Sequence, residues 1–269
     1  MSPADPPSTP PGAPAPDPAT ALAWREAERR FVARVARPPR ATVALLAVLV
    51  ALHVATGVAS APGTGVWQQI FGSRSRETMV EFGARDGSLV AAGEVWRLVS
   101  HGFLHWDLSH LFMNGLALWG LGRLCETVFG PVRFYWIFLV SVLGGGLFSQ
   151  TAGAQVVSAG ASGGVFGLLG ALVAFGVSRR RRLSPRLSAV FIEQLWPWIL
   201  VNLGIGLLLP FIDNRAHVGG LLAGAACALV LRDQVTSDRP PPRGVTAAMI
   251  GTMALVLTWA AAMVALHAG

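Results

Sequence analysis

The chain has 269 residues, of which 53% are hydrophobic and 13% charged, with a mean hydropathy of +0.54. A soluble domain carries about 25% charged residues; here the apolar residues gather in long runs, which excludes a soluble globular domain and predicts an all-α polytopic membrane protein. The net charge is +7, yet all 21 basic residues are arginines and most stand between apolar runs. That is the distribution of topology-setting loop charge. It is not a basic groove with interleaved aromatics, so no nucleic acid is expected as a partner.

Residues 1–20 are rich in Pro, Ala, Ser and Asp and bury too little apolar surface to fold. Residues 21–40 have the pattern of a short Arg-rich amphipathic helix ending near Pro38 and Pro39, suited to an anionic lipid surface or to solvent. Together residues 1–40 are expected to be a disordered Pro-rich and Arg-rich tail. The first apolar run starts only at Ala41, so no cleavable signal is expected, and Asp5, Asp17, Glu26 and Glu28 argue against an acid-poor transit peptide.

The first apolar segment covers residues 41–59, and a long loop, 60–96, follows with Trp67, Phe71 and Phe82 among its polar residues. Six further segments cover 108–125, 134–151, 162–178, 194–212, 216–231 and 245–267. Between the third and fourth, Ser149 to Gln155 is polar and uncharged. Irregular backbone at that depth is tolerated only when buried in protein or facing a water-filled cavity. The sixth segment is short for a hydrocarbon core of roughly 30 Å, as suits a bundle with a wet cavity at one end. Residues 41–231 are the expected membrane domain, and 232–269 a linker and an added seventh transmembrane helix. Cys125 and Cys227 lack metal-like spacing and are expected to pack as small apolar side chains.

With the N-terminus inside, sixteen arginines fall on the inner side and five on the outer, which predicts N-in, C-out topology. Independently of that count, the starts of the fourth and sixth segments then face the same outer side.

Those two starts carry the chemistry. Ser162 lies in Gly160-Ala161-Ser162-Gly163, within Phe134 to Ser178, a stretch without a charged residue. His217 heads the sixth segment. Serine becomes a nucleophile when a base removes its proton, and histidine is the usual base. The residues at 216, 220, 224 and 228 are Ala, Gly, Gly and Ala, and Gly163 and Gly167 match them on the fourth segment. Such small-residue faces let two helix backbones approach, which would bring Ser162 and His217 within reach. Gly160 and Gly163 permit a sharp turn and close approach of a carbonyl. His110 and Asn114, spaced i, i+4, share a helix face; with the backbone N–H of Ser162 they are candidate oxyanion donors. Phe166, one turn after Ser162, is placed to pack on the His217 ring.

Each piece also has a plainer explanation: Ser and Gly at a helix contact, a capping histidine, an interhelical Asn bond, a core Phe. His101 and His105 lack a carboxylate or Cys partner at ligand spacing and are expected on an interfacial loop, so no metal is expected. Asp213, one turn before His217, is expected in a loop with Asn214 and Arg215, not as an orienting acid. His53 and His267 have no assigned role. The loop 60–96 with Trp196 and Trp198 is a candidate substrate gate.

In order and on separate segments, Trp96-Arg97, His101, His105, His110-x-x-x-Asn114, Gly160-x-Ser162-Gly163 and Ala216-His217-x-x-Gly220 resemble the rhomboid family of intramembrane serine proteases. The resemblance runs through most of residues 41–231. It implies a rhomboid-like six-helix bundle, a Ser162–His217 dyad without an acid, oxyanion stabilisation by His110, Asn114 and the Ser162 N–H, and a structural role for Trp96-Arg97. Residues 245–267 would be the extra helix of the six-plus-one members. Some bacterial members have Tyr where this chain has Phe166. The resemblance also implies single-pass membrane protein substrates cut in or near their transmembrane helix, and no cofactor. A client-binding relative without activity, or a transporter, remains an alternative; no internal repeat supports transport. The Arg-only, Ala-rich composition points to a GC-rich bacterial genome and the cell membrane.

Overall fold

The computed structural model describes residues 16–60, 63–153, 156–209, 211–237 and 242–267. Its long helices are α1 (Pro18–Val35), α2 (Arg40–Ser60), α3 (Leu108–Phe129), α4 (Pro131–Gln150) and α5 (Ser162–Arg179). They continue with α6 (Pro185–Phe191), α7 (Trp196–Leu208), α8 (Asn214–Val230) and α9 (Arg243–His267). Five spans are long and apolar enough to cross a membrane: Arg40–Ser60, Pro131–Gln150, Ser162–Arg182, Pro185–Leu208 and Arg243–Leu266. The chain is therefore an all-α, multi-pass integral membrane protein. Two expected crossings fall outside those five. In α3, His110, Asn114 and Arg123 dilute the apolar character. In α8, 17 residues span only about 25 Å at 1.5 Å per residue.

Helix ends follow from local chemistry. Asp107 opens α3 by accepting the His110 N–H at 2.8 Å. Gly130 closes it at φ +80°, a backbone shape that favours glycine, and Pro131 starts α4 at once. α2 borrows its cap from α3: the Glu126 carboxylate accepts the N–H groups of Ala41 and Thr42 at 3.1 and 2.9 Å. The fifth crossing begins earlier than the expected 194–212 and is broken between α6 and α7. Pro197 lacks the N–H that a continuous helix needs there and disfavours helical backbone before it.

Residues 1–15 lie outside the described residues. Over 18–35 the chain is helical, in keeping with the Arg-rich helical pattern of 21–40 and unlike the disordered tail expected of 1–40 as a whole. Asp17 caps α1 with Pro18 behind it, and Trp24, Ala27 and Phe31 form one stripe that docks on the bundle. Phe31 sets its edge on Phe191 at 5.8 Å, the Trp24 indole donates to the Arg181 carbonyl at 3.3 Å, and the Ser184 hydroxyl donates to Glu28. Burial of this stripe outweighs the polar surroundings that suggested disorder.

The loop over 60–96 contains short helical turns and the strand β1 (Arg85–Asp86), which pairs antiparallel with β2 (Val157–Ser158) just ahead of α5. Trp96 and Arg97 pin this loop from inside. Both are buried, and Arg97 lies 4.4 Å from the Trp96 ring centre. Its guanidinium binds Glu94 at 2.7 Å and donates to the Val80 and Ala84 carbonyls. α9 exists as a helix and touches the bundle through Ala260, packed with Val99 and Leu139.

The core forms around α5. Its flank toward α8 is glycine because backbone meets backbone. A Cβ at Gly220 would run into the Gly163 carbonyl, one at Gly224 into the Gly167 carbonyl, and one at Gly170 into that of Leu221. Phe129, Phe134, Phe138, Leu168, Leu172 and Phe175 belong to the same buried core. This glycine-backed contact brings together the N-terminal ends of α5 and α8.

Candidate active site

Ser162 is the first residue of α5 and is half-buried. The backbone reaches it through β2 and a turn at Gly160, where φ is +137° and a side chain would be strained. A Cβ there would stand 2.7 Å from Cε1 and 2.9 Å from Nε2 of His110, and 3.9 Å from Nδ2 of Asn114. Gly160 thus lets His110 and Asn114 of α3 lie close against the turn before Ser162. Because Ser162, Gly163 and Gly164 open the helix, their N–H groups lack intrahelical acceptors and point the positive end of the helix dipole at this space.

Two histidines hold that turn from below. The His101 carbonyl accepts the Gly160 N–H at 2.9 Å, and His105 Nε2 accepts the Ala161 N–H at 3.4 Å. The His105 ring stands edge-on to His110 at 5.2 Å. Both His101 and His105 are buried in the short irregular stretch ahead of α3, where the chain folds under the α5 start and its imidazoles and carbonyls satisfy backbone that would otherwise be orphaned. Among the described residues, no three His, Cys, Asp or Glu side chains converge as a metal would require.

His217 lies in the first turn of α8 and is 7% exposed. Its ring stacks on Phe166, with centroids 4.1 Å apart and planes 11° from parallel. The carbonyl of Ala216, the residue before it, would sit 3.5 Å from a Cβ on Gly163. The stacking partner on α5 and the flanking backbone contact together put His217 beside the first turn of the serine helix. His217 Nδ1 is buried without a hydrogen-bond partner, so no carboxylate among the described residues binds that nitrogen.

The nearest acid is engaged elsewhere. Asp213 caps α8 by accepting the Ala216 N–H at 3.0 Å and takes the Ser149 hydroxyl from the end of α4. Burial pushes the Asp213 pKa up, but hydrogen bonds from Ser149, Ala216 and Ser158, with Arg85 nearby, outweigh burial and hold it below the usual carboxylate value. Ser158 belongs to β2, three residues ahead of Ala161. Asp213 therefore ties the histidine helix to the end of α4 and makes no hydrogen bond to the imidazole. Arg85, fully buried opposite Ser158, binds the Gln150 side chain at 2.9 Å and the Val156 carbonyl at 3.1 Å.

The expected site residues Ser162, His217, His110, Asn114, Gly160, Gly163, Phe166 and Gly220 thus fall in one region, at one end of α3, α5 and α8. Asn114 uses one amide N–H on the His110 carbonyl, 3.0 Å away, and keeps the other. His101, His105, Arg85 and Ser158 are additional supports. Their only sequence signal is polarity beside apolar segments, since the contacts that give them a role are made across the fold.

A family model described as "Rhomboid domain" matches residues 92–234. The chain is 41% identical over 162 residues to "Rhomboid protease GluP" of Bacillus subtilis (strain 168), covering 60% of this chain and 31% of that protein. It is 37% identical over 168 residues to "RHOMBOID-like protein 6, mitochondrial" of Arabidopsis thaliana, covering 61% and 52%. It is 33% identical over 153 residues to the plant's "Inactive RHOMBOID-like protein 8", covering 56% and 43%. The chain spans about half or less of the length of these curated relatives.

Proposed function

The chain belongs to the rhomboid family, and from that premise we propose that it is a serine-type intramembrane endopeptidase with a Ser162–His217 dyad. The observation that carries this reading is the meeting of the α5 and α8 starts. It sets a histidine stacked on Phe166 beside a serine at a helix N-terminus, with His110 and Asn114 against the turn before it.

In the proposed reaction, the Ser162 hydroxyl attacks a peptide carbonyl carbon while His217 takes its proton. The negative charge on the tetrahedral oxygen is met by the Ser162 N–H and the side chains of His110 and Asn114; losing one such donor costs roughly 10²–10³ in rate. The intermediate collapses as His217 returns the proton to the leaving amine, giving an acyl-enzyme and a free amino end. Water, deprotonated by His217, then attacks the ester and restores the serine hydroxyl. The ring stack does the positioning that a third carboxylate would do in a triad.

We further propose that substrates are single-pass membrane proteins. A transmembrane helix must give up its own hydrogen bonds before a carbonyl can reach Ser162, so helix-weakening residues near the cut favour cleavage. Residues 41–231 are the proposed catalytic domain and α9 the proposed seventh crossing. The charge asymmetry supports an inner N-terminus and a site opening to the outer side of a bacterial cell membrane.

The test is cleavage of single-pass substrates in proteoliposomes by the full chain and by Ser162→Ala. Loss of cleavage in a folded variant supports the dyad. Retained cleavage overturns it. A well-folded wild type that binds such substrates and never cuts them supports client binding instead.

A further inference from the structure

At the far end of α5 from Ser162, a cavity of about 350 Å³ opens between the ends of α5 and α8. Arg179, Arg181, Arg182, Arg232, Asp233 and Thr236 are among its lining residues, four arginines against one acid. The acid is already committed. Asp233 is buried, accepts the Val235 N–H at 2.9 Å and the Thr236 hydroxyl at 2.9 Å, and pairs with Arg179 at 3.4 Å. The guanidinium groups of Arg181, Arg182 and Arg232 have no partner among the described residues and are exposed.

The turn that carries two of them is held from both sides. Trp24 of α1 donates to the Arg181 carbonyl. Ser184, two residues past Arg182, caps α6 and donates to Glu28. Bracing fixes the backbone that carries Arg181 and Arg182, so closing on one anion orders their side chains without also ordering the turn. The neighbouring outer surface is apolar: Val177, Leu229 and Val230 are 53%, 59% and 81% exposed, within a turn of the cavity. Exposed apolar side chains suited to acyl chains thus stand within one turn, along α5 and α8, of the cationic pocket.

From this placement we infer that the cavity is a binding site for the phosphate headgroup of an anionic phospholipid, with Arg181, Arg182 and Arg232 on the phosphate and the Val177–Leu229–Val230 strip under the acyl chains. Basic pockets between membrane helices recognise lipid phosphates, and each arginine near an anionic headgroup contributes a comparable increment. The inference requires that the chain span a membrane and is independent of its chemistry at Ser162.

The test titrates the detergent-solubilised full chain with fluorescent short-chain phosphatidylglycerol and reads polarisation. We compare wild type, the triple variant Arg181→Gln/Arg182→Gln/Arg232→Gln, and a charge-matched control, Arg25→Gln/Arg29→Gln/Arg37→Gln, on the exposed side of α1 and beyond it. The cavity variant should bind about 100-fold more weakly, while the control stays within about threefold and phosphatidylcholine fails to compete. Equal loss in both variants would overturn the site in favour of diffuse surface charge. Competition by inorganic phosphate as effective as the lipid would overturn the lipid assignment in favour of a free phosphate. Should the triple variant fail to fold, Arg232→Gln alone, past the end of α8, should weaken binding about fivefold; unchanged binding there overturns the site.

Discussion

α5 and the α6–α7 crossing stand in one bundle and have similar composition, yet they are held in opposite ways. Of an apolar 18-residue stretch within Ser162–Arg182, 67% is buried inside the protein, against 11% of such a stretch within Pro185–Leu208. α5 meets α8 backbone to backbone through glycines, while α7 turns Trp196, Trp198, Leu207 and Leu208 outward. The contrast separates two jobs. The helices that carry Ser162 and His217 meet backbone to backbone, while the wall beside them leaves its large apolar side chains exposed.

Glycine substitutions probe the contrast directly. Gly224→Val forces a side chain into the Gly167 carbonyl and should prise α5 from α8, costing at least about 1–3 kcal/mol of stability and most of the activity. Thermal unfolding in detergent and proteoliposome turnover report both, and an active, normally stable Gly224→Val would show that the two helices are not locked. Gly204→Ala on α7 meets nothing within 4 Å. It should be neutral, or stabilising by up to about 1 kcal/mol through helix propensity, and a large loss there would show that the wall is packed after all.

The second largest effect concerns Asp213. Asp213→Ala removes the α8 cap and the Ser149 bond, and should cost about 1–2 kcal/mol. Its folded pKa is lowered, so its ionised form stabilises the fold above the unfolded value of about 3.9, and that contribution disappears as pH falls through the folded pKa. The stability gap between wild type and Asp213→Asn should therefore be constant near neutrality and close below about pH 4. A gap that instead tracks the imidazole range would mean that Asp213 acts on His217 directly.

The smallest effect within the site falls on the stack. Phe166→Leu keeps an apolar contact but loses the parallel ring under His217; kcat should fall about tenfold, with a stability loss of no more than about 1.5 kcal/mol. Phe166→Tyr, which keeps the ring, should fall by less. Equal, undiminished turnover in both variants would remove the stack from the account.

These outcomes also mark what a reader of the sequence could see. The apolar runs, the small-residue faces of α5 and α8, and the order of His110, Asn114, Ser162 and His217 were legible because each is local or periodic. The helical pattern of α1 was legible, but its docking was not, because burial depends on Phe191 and Arg181, which lie 160 and 157 residues from their partners Phe31 and Trp24. The two-residue pairing of Arg85–Asp86 with Val157–Ser158 is too short to leave a pattern. His101 and His105 show polarity in the sequence, but only tertiary structure turns them toward the Ser162 turn.

The most direct measurement is fluorophosphonate labelling of the detergent-purified chain, with the labelled residue mapped, for wild type, Ser162→Ala and His217→Ala. The account predicts a single adduct on Ser162 that disappears in both variants, because the serine is reactive only with His217 beside it. Labelling of Ser162 that survives the loss of His217, or none in a folded wild type, would contradict it.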